Sequence, residues 1–78
     1  MNTAAPPSAF ETSDLNLATF LRCREFAIKD IKRRDGRAVF AFTDSPELRL
    51  AMLEFANDGL VPVRSFCNTL RDLKAIVR

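Results

Sequence analysis

The stretch FAIKDIKRRDGRAVFAF, residues 26–42, decides how this chain folds. Two runs within it, FAIKDI and RAVFAF, alternate or nearly alternate apolar and polar residues and are rich in Phe, Ile and Val. That is the period of a strand with one buried face. Between them stands Asp35-Gly36. A tight hairpin turn needs positive φ, which Gly adopts at no steric cost and Asp tolerates. The pattern predicts a β-hairpin with IKRRDGR, residues 31–37, as its tip. Ala38, Phe40 and Phe42 share one face, and Phe26 and Ile28 can meet them. Ile31 breaks the alternation, which predicts a bulge in the first strand.

On either side the periodicity becomes helical. Thr12-Ser13-Asp14 supplies oxygens for unpaired N–H groups, and Leu17, Ala18, Phe20 and Leu21 then fall on one side of a helix. Arg24 would land within that apolar side, so the helix is expected to end near Cys23. Ser45-Pro46-Glu47 is a second start, with a capping hydroxyl, a proline whose missing N–H does no harm, and an acid at the positive helix end. This helix should stop at Asn57-Asp58-Gly59. Leu48, Ala51, Met52, Phe55 and Ala56 form its core face, while Leu50 and Leu53 point away. The last helix is expected from about Val63 to the C-terminus, with Phe66, Leu70, Leu73 and Val77 as its apolar stripe.

Residues 1–9, with two prolines and small side chains, read as a flexible N-terminal tail. Residues 10–78 read as a single compact domain. The fold class is a small single α+β domain, helix–β-hairpin–helix–helix, with a two-stranded antiparallel sheet whose Phe-rich face the helices must cover. Seventy-eight residues suffice for one core. A domain of this size buries about 60–65% of its unfolded surface, so its stability is marginal or helped by self-association.

Composition removes most chemistry. The chain has no His, Trp or Tyr, so the commonest general base and metal ligand is missing, and no pair of acids converges by spacing. Gly36 and Gly59 stand alone, so no loop can cradle a phosphate. No catalytic residue, cofactor or small-molecule substrate is expected. Two cysteines fall short of the four ligands of a structural zinc. Arg22 and Arg24 flank Cys23 and could stabilise a thiolate, but a small half-buried residue is the favoured reading. Cys67, beside Phe66, reads as core. The opening MNTAAPPSAF has neither a basic start nor an apolar run, and no later stretch is long enough to span a bilayer. The expected compartment is a bacterial-type cytoplasm, where thiols stay reduced.

Net charge is only +2, yet its distribution is uneven. Lys29–Arg37 holds five basic and two acidic residues, Arg64–Arg78 four basic and one acidic, and the segment between them is net negative. On the last helix Arg64, Arg71 and Arg78 recur every seventh residue, about 10.5 Å apart on nearly one line, with Lys74 on their side. With Lys32, Arg33, Arg34 and Arg37 of the hairpin they could neutralise a nucleic-acid backbone. All seven Phe are assigned to the core, which leaves no ring for base stacking. Binding of this kind would be backbone-driven and weakly specific. Basic tips also discourage edge-to-edge aggregation, and last-turn cations suit a helix C-terminus, so a solvated face is the competing reading.

The arrangement T-S-D-L-x-L-A-x-x-L at Thr12–Leu21, F-x-F-x-D-S at Phe40–Ser45 and F-x-x-x-L-R-x-L-K at Phe66–Lys74 resembles a family of short bacterial and phage domains of unknown function. The resemblance implies a bacterial or phage gene and a similar small fold, and it brings no catalytic residues. It also implies a glycine closing the first helix, where this chain has Arg24-Glu25.

Two functions follow as expectations. The first is a small non-enzymatic binding module that contacts nucleic acid through Lys32, Arg33, Arg34, Arg37, Arg64, Arg71, Lys74 and Arg78. The alternative is a homodimeric or partner-binding domain that uses Leu50 and Leu53 on the outer face of the middle helix.

Overall fold

The computed structural model of the chain describes residues 8–77. These form β1 (Ala9–Thr12), α1 (Leu15–Cys23), β2 (Asp30–Arg34), β3 (Arg37–Thr43), α2 (Pro46–Ala56) and α3 (Val63–Val77). The α+β class and the order helix, hairpin, helix, helix are as expected, with one strand added in front.

That strand changes the sheet. It has three antiparallel strands rather than two, in the order β1-β3-β2, so the second hairpin strand is central. Ala9–Thr12 escapes a sequence reading because four residues hold one full alternation, Phe10 inward and Glu11 outward. Ala9, expected in the tail, pairs with Thr43. Residues 1–7 of that tail lie outside the described residues.

The hairpin turn takes φ of +53° at Asp35 and +77° at Gly36, the two left-handed positions of a type I′ turn. From it the ladder runs one to one, Arg34↔Arg37 through Ile31↔Phe40 to Asp30↔Ala41. No bulge therefore falls at Ile31, which lies opposite Phe40 and packs on the core. The irregularity comes just before it. The Lys29 N–H donates to the Ala41 carbonyl at 2.7 Å, although Asp30 already stands opposite Ala41. Phe26–Lys29 thus leads into the ladder without belonging to it, and β2 is DIKRR, charged at every position but Ile31.

Local chemistry sets the helix ends. Asp14 Oδ1 accepts the N–H groups of Asn16 (3.0 Å) and Leu17 (3.1 Å), and Ser45 Oγ accepts that of Leu48 (3.0 Å). α1 closes on Glu25 at φ +71°, with Phe26 N–H on the Leu21 carbonyl at 3.0 Å and Glu25 N–H on that of Arg22 at 2.9 Å. This is a Schellman motif with Glu where Gly is usual. α2 also closes on a left-handed residue, Asp58 at φ +65°, with Gly59 N–H on the Glu54 carbonyl at 2.6 Å. Gly59 is needed for space instead: a Cβ there would lie 2.7 Å from the Glu54 carbonyl oxygen and 3.0 Å from the Phe20 ring.

The core joins Ala18, Phe20 and Leu21 of α1, Phe40 and Phe42 of β3, Leu48 and Ala51 of α2, and Leu73 of α3. Phe10, Ile31 and Ala38 extend it along the inner face of the sheet. α1 packs against both other helices and buries even Thr19, whose hydroxyl donates to the Leu15 carbonyl at 2.7 Å. Ala56, expected in the core, is exposed in the last turn of α2.

Candidate interaction surfaces

The hairpin cations are bound into the fold. Alternation along β2 sends Lys32 and Arg34 to the outer face of the sheet and Arg33 to the inner one. Glu11 on β1 points to that same outer face, since it pairs with Ala41. Its two oxygens accept from Lys32 Nζ at 2.8 Å and Arg34 Nη1 at 3.2 Å. These donors, Lys32 first, hold the Glu11 carboxyl below its ordinary pKa. The bridge passes over β3, where Val39 and Ala41 are buried although they face away from the core. Alkyl stems of charged side chains can cover apolar surface in this way.

Arg33 goes elsewhere. Its guanidinium donates to the Val77 carbonyl at the end of α3, where a cation suits the negative end of the helix. The tip of the hairpin and the last turn of α3 therefore meet. Lys74 lies within one turn of that junction, whereas Arg64 is thirteen residues back along α3, about 20 Å away. Of the expected nucleic-acid residues, Arg37 and Lys74 stand near the junction, Arg71 one turn further, and Arg64 at the far end. Arg78 lies outside the described residues. Arg71 makes a long bond of 3.4 Å to Asn68 Oδ1, and among the described residues no carboxylate pairs with Arg37, Arg64, Arg71 or Lys74.

The apolar surface is concentrated elsewhere. Leu50 and Leu53 are 60% and 61% exposed, as their helical phase predicts. Leu60 and Val63, 86% and 74% exposed, follow on the connector and the first turn of α3. Arg24 ties these segments together. Its guanidinium lies 4.8 Å over the Phe20 ring, pairs with the Glu54 carboxylate and donates to the Leu60 carbonyl at 3.0 Å. The connector is thus held against the last turn of α2. Leu60 and Val63 give no sign of this in the sequence, because a connector has no period against which an apolar residue looks misplaced. The phase of Arg24 in α1 excludes it from the core, but its clamping of three segments from the rim depends on Glu54 and Leu60, far away in the chain.

Among the described residues no three His, Cys, Asp or Glu side chains converge as a metal site requires. Both cysteines are free thiols; Cys23 is half-buried, as expected, while Cys67 is exposed rather than core. Cys67 lies on the outer side of α3, in the line of Lys74 and not of Phe66 and Leu73. Among the described residues no helix is long and apolar enough to cross a membrane.

No curated protein and no solved structure matches the chain. A family model does, that of the Domain of unknown function (DUF5659), and it spans residues 8–78, from the strand that opens the sheet through the last helix. The Asp14 cap, the Phe40-Ala41-Phe42 core strand and the Phe66–Lys74 helix all fall within that span, and the chain belongs to the DUF5659 family.

Proposed function

We propose that this domain is a non-enzymatic protein-interaction module of a bacterial or phage-infected cytoplasm, working through the outer side of α2 and the connector beyond it. One observation carries the reading. Four of the large apolar side chains that the fold leaves exposed, Leu50, Leu53, Leu60 and Val63, lie on α2 or within seven residues of its end. Clustered apolar exposure of this kind marks an interaction surface more often than a solvated one. The reducing cytoplasm suits an exposed free Cys67.

The test is a photo-crosslinking side chain placed singly at positions 53, 64 and 71 and irradiated in native lysate. Discrete protein adducts at position 53, with none at 64 or 71, are expected. The opposite pattern would move the working face to α3.

A second reading keeps nucleic acid as the partner, now on α3 rather than the hairpin. It is favoured by Arg64, Arg71 and Lys74, which are exposed and have no carboxylate partner among the described residues. It loses Lys32, Arg33 and Arg34 as free contributors, since each already holds an acceptor.

A further inference from the structure

Resting on the proposal that the α2 face binds protein, we infer that its occupant is a second copy of this chain, joined α2 to α2 in a parallel, two-fold pair. Leu50 and Leu53 have the spacing of the a and d positions of a heptad, and Pro46 and Asn57 continue that seam in either direction. Arg49 then takes the g position before the first leucine and Glu54 the e position after the second. They flank the seam on opposite sides.

Charge decides between the two ways of pairing. In a parallel pair the two-fold axis runs along the helices, so each g flank faces the e flank of its mate. Arg49 meets Glu54 of the partner subunit, twice by symmetry. In an antiparallel pair each flank meets its own copy. Glu47 and Glu54 would then confront the same acids, and Arg49 would have no acid to meet. Only the parallel arrangement is complementary.

The side chains are set for it. Arg49 uses Nε and Nη2 on Asp44, at 3.1 and 2.7 Å, which leaves Nη1 without a partner among the described residues. Glu54 uses Oε1 on Arg24, which leaves Oε2 likewise. Both side chains remain accessible, 71% and 44% exposed. Their internal bonds bias the rotamers, so a second bond across the seam orders less than it would in free side chains. Two leucines per chain, with Leu60 toward the rim, make a small interface, and the expected affinity is micromolar or weaker. A domain of this size with a core this small gains from such an association.

Sedimentation velocity of the full chain, from low micromolar toward millimolar concentration, tests the inference. A reversible dimer is expected, with Leu50→Glu and Leu53→Glu folded by circular dichroism but monomeric. Arg49→Glu and Glu54→Arg alone should each raise the dissociation constant about 3–5-fold. Combined, they should return it to within about twofold of the wild type. In that double variant both internal pairs become like-charged, so recovery can come only from across the seam. A monomer at every concentration, a dimer indifferent to Leu50→Glu and Leu53→Glu, or a double variant that does not recover each overturns the inference. If the chain stays monomeric while position 53 still crosslinks to a different protein, the second copy is excluded and the interaction face stands. If both fail, the face itself is excluded.

Discussion

Glu11 and Lys32 meet across the whole width of the sheet: a carboxylate on one edge strand accepts from an ammonium on the other at 2.8 Å, above Val39 and Ala41 of the strand between them. Among the described residues, the sheet face turned away from the helices is therefore closed by side chains rather than by another layer. Lys32 first, then Arg34, lowers the Glu11 pKa, so the folded state binds this proton less readily than the unfolded chain. The stabilisation is full above the ordinary carboxylate value of about 4.3. It is lost as pH falls through the lowered folded value. Glu11→Gln is expected to lower Tm at neutral pH, with the gap to wild type closing in acid and shrinking with salt. Circular-dichroism melts at several pH values decide this; a gap that does not depend on pH would mean the bridge contributes nothing.

Glu25 occupies a left-handed position at φ +71°, which costs a residue with a Cβ more than it costs glycine. Glu25→Gly should stabilise the domain by about 0.5–1 kcal/mol, net of the added chain entropy of glycine. Gly59→Ala is the contrasting case, since its new methyl would press on the Glu54 carbonyl oxygen and the Phe20 ring. A loss of about 1–3 kcal/mol is expected there. Urea titrations of both variants should move in opposite directions.

Arg24 holds an aromatic face, a carboxylate and a backbone carbonyl with one planar group. Its removal as Arg24→Ala should cost about 1–2 kcal/mol. Lysine has neither the fork nor the flat face, so Arg24→Lys should recover less than half of that. A denaturation series in which Lys restores full stability would show that charge alone matters at this position.

The α3 reading of nucleic-acid binding has its own signature. Fluorescence anisotropy with single-stranded oligonucleotides should give a slope of log affinity on log salt of about −2 if Arg64, Arg71 and Lys74 each neutralise one phosphate. Arg71→Glu should abolish the signal, and Lys32→Gln should leave it nearly unchanged. Absence of binding at low salt would remove nucleic acid from consideration.

The helices and the hairpin were legible because each announces itself locally. Asp14, Ser45 and Asp35-Gly36 act within four residues of themselves, and the structure uses all of them as their chemistry dictates. What was not legible depends on partners far away in the chain. Ala9–Thr12 becomes a strand because β3 offers a second edge, and nothing inside those four residues says so. Lys32, Arg33 and Arg34 look like one basic cluster in sequence. The pleat sends two to Glu11 and one to the end of α3, and that division exists only once the register is set. Leu50 and Leu53 were legible as outward-facing. Leu60 joined them only when Arg24 drew the connector back against α2.

The strand order also fixes when things can happen. β2 and β3 are joined by a two-residue turn and can pair within microseconds. β1 must wait, because its place is on the far edge of a strand that lies beyond α1 and the whole hairpin. Docking of the first strand is therefore expected as a late, long-range closure, and contacts made late govern escape more than arrival. The Glu11 bridge is one of these contacts. Weakening it should steepen the route out of the native state and leave the route in almost untouched: in stopped-flow experiments Glu11→Gln should unfold faster while refolding at nearly the wild-type rate.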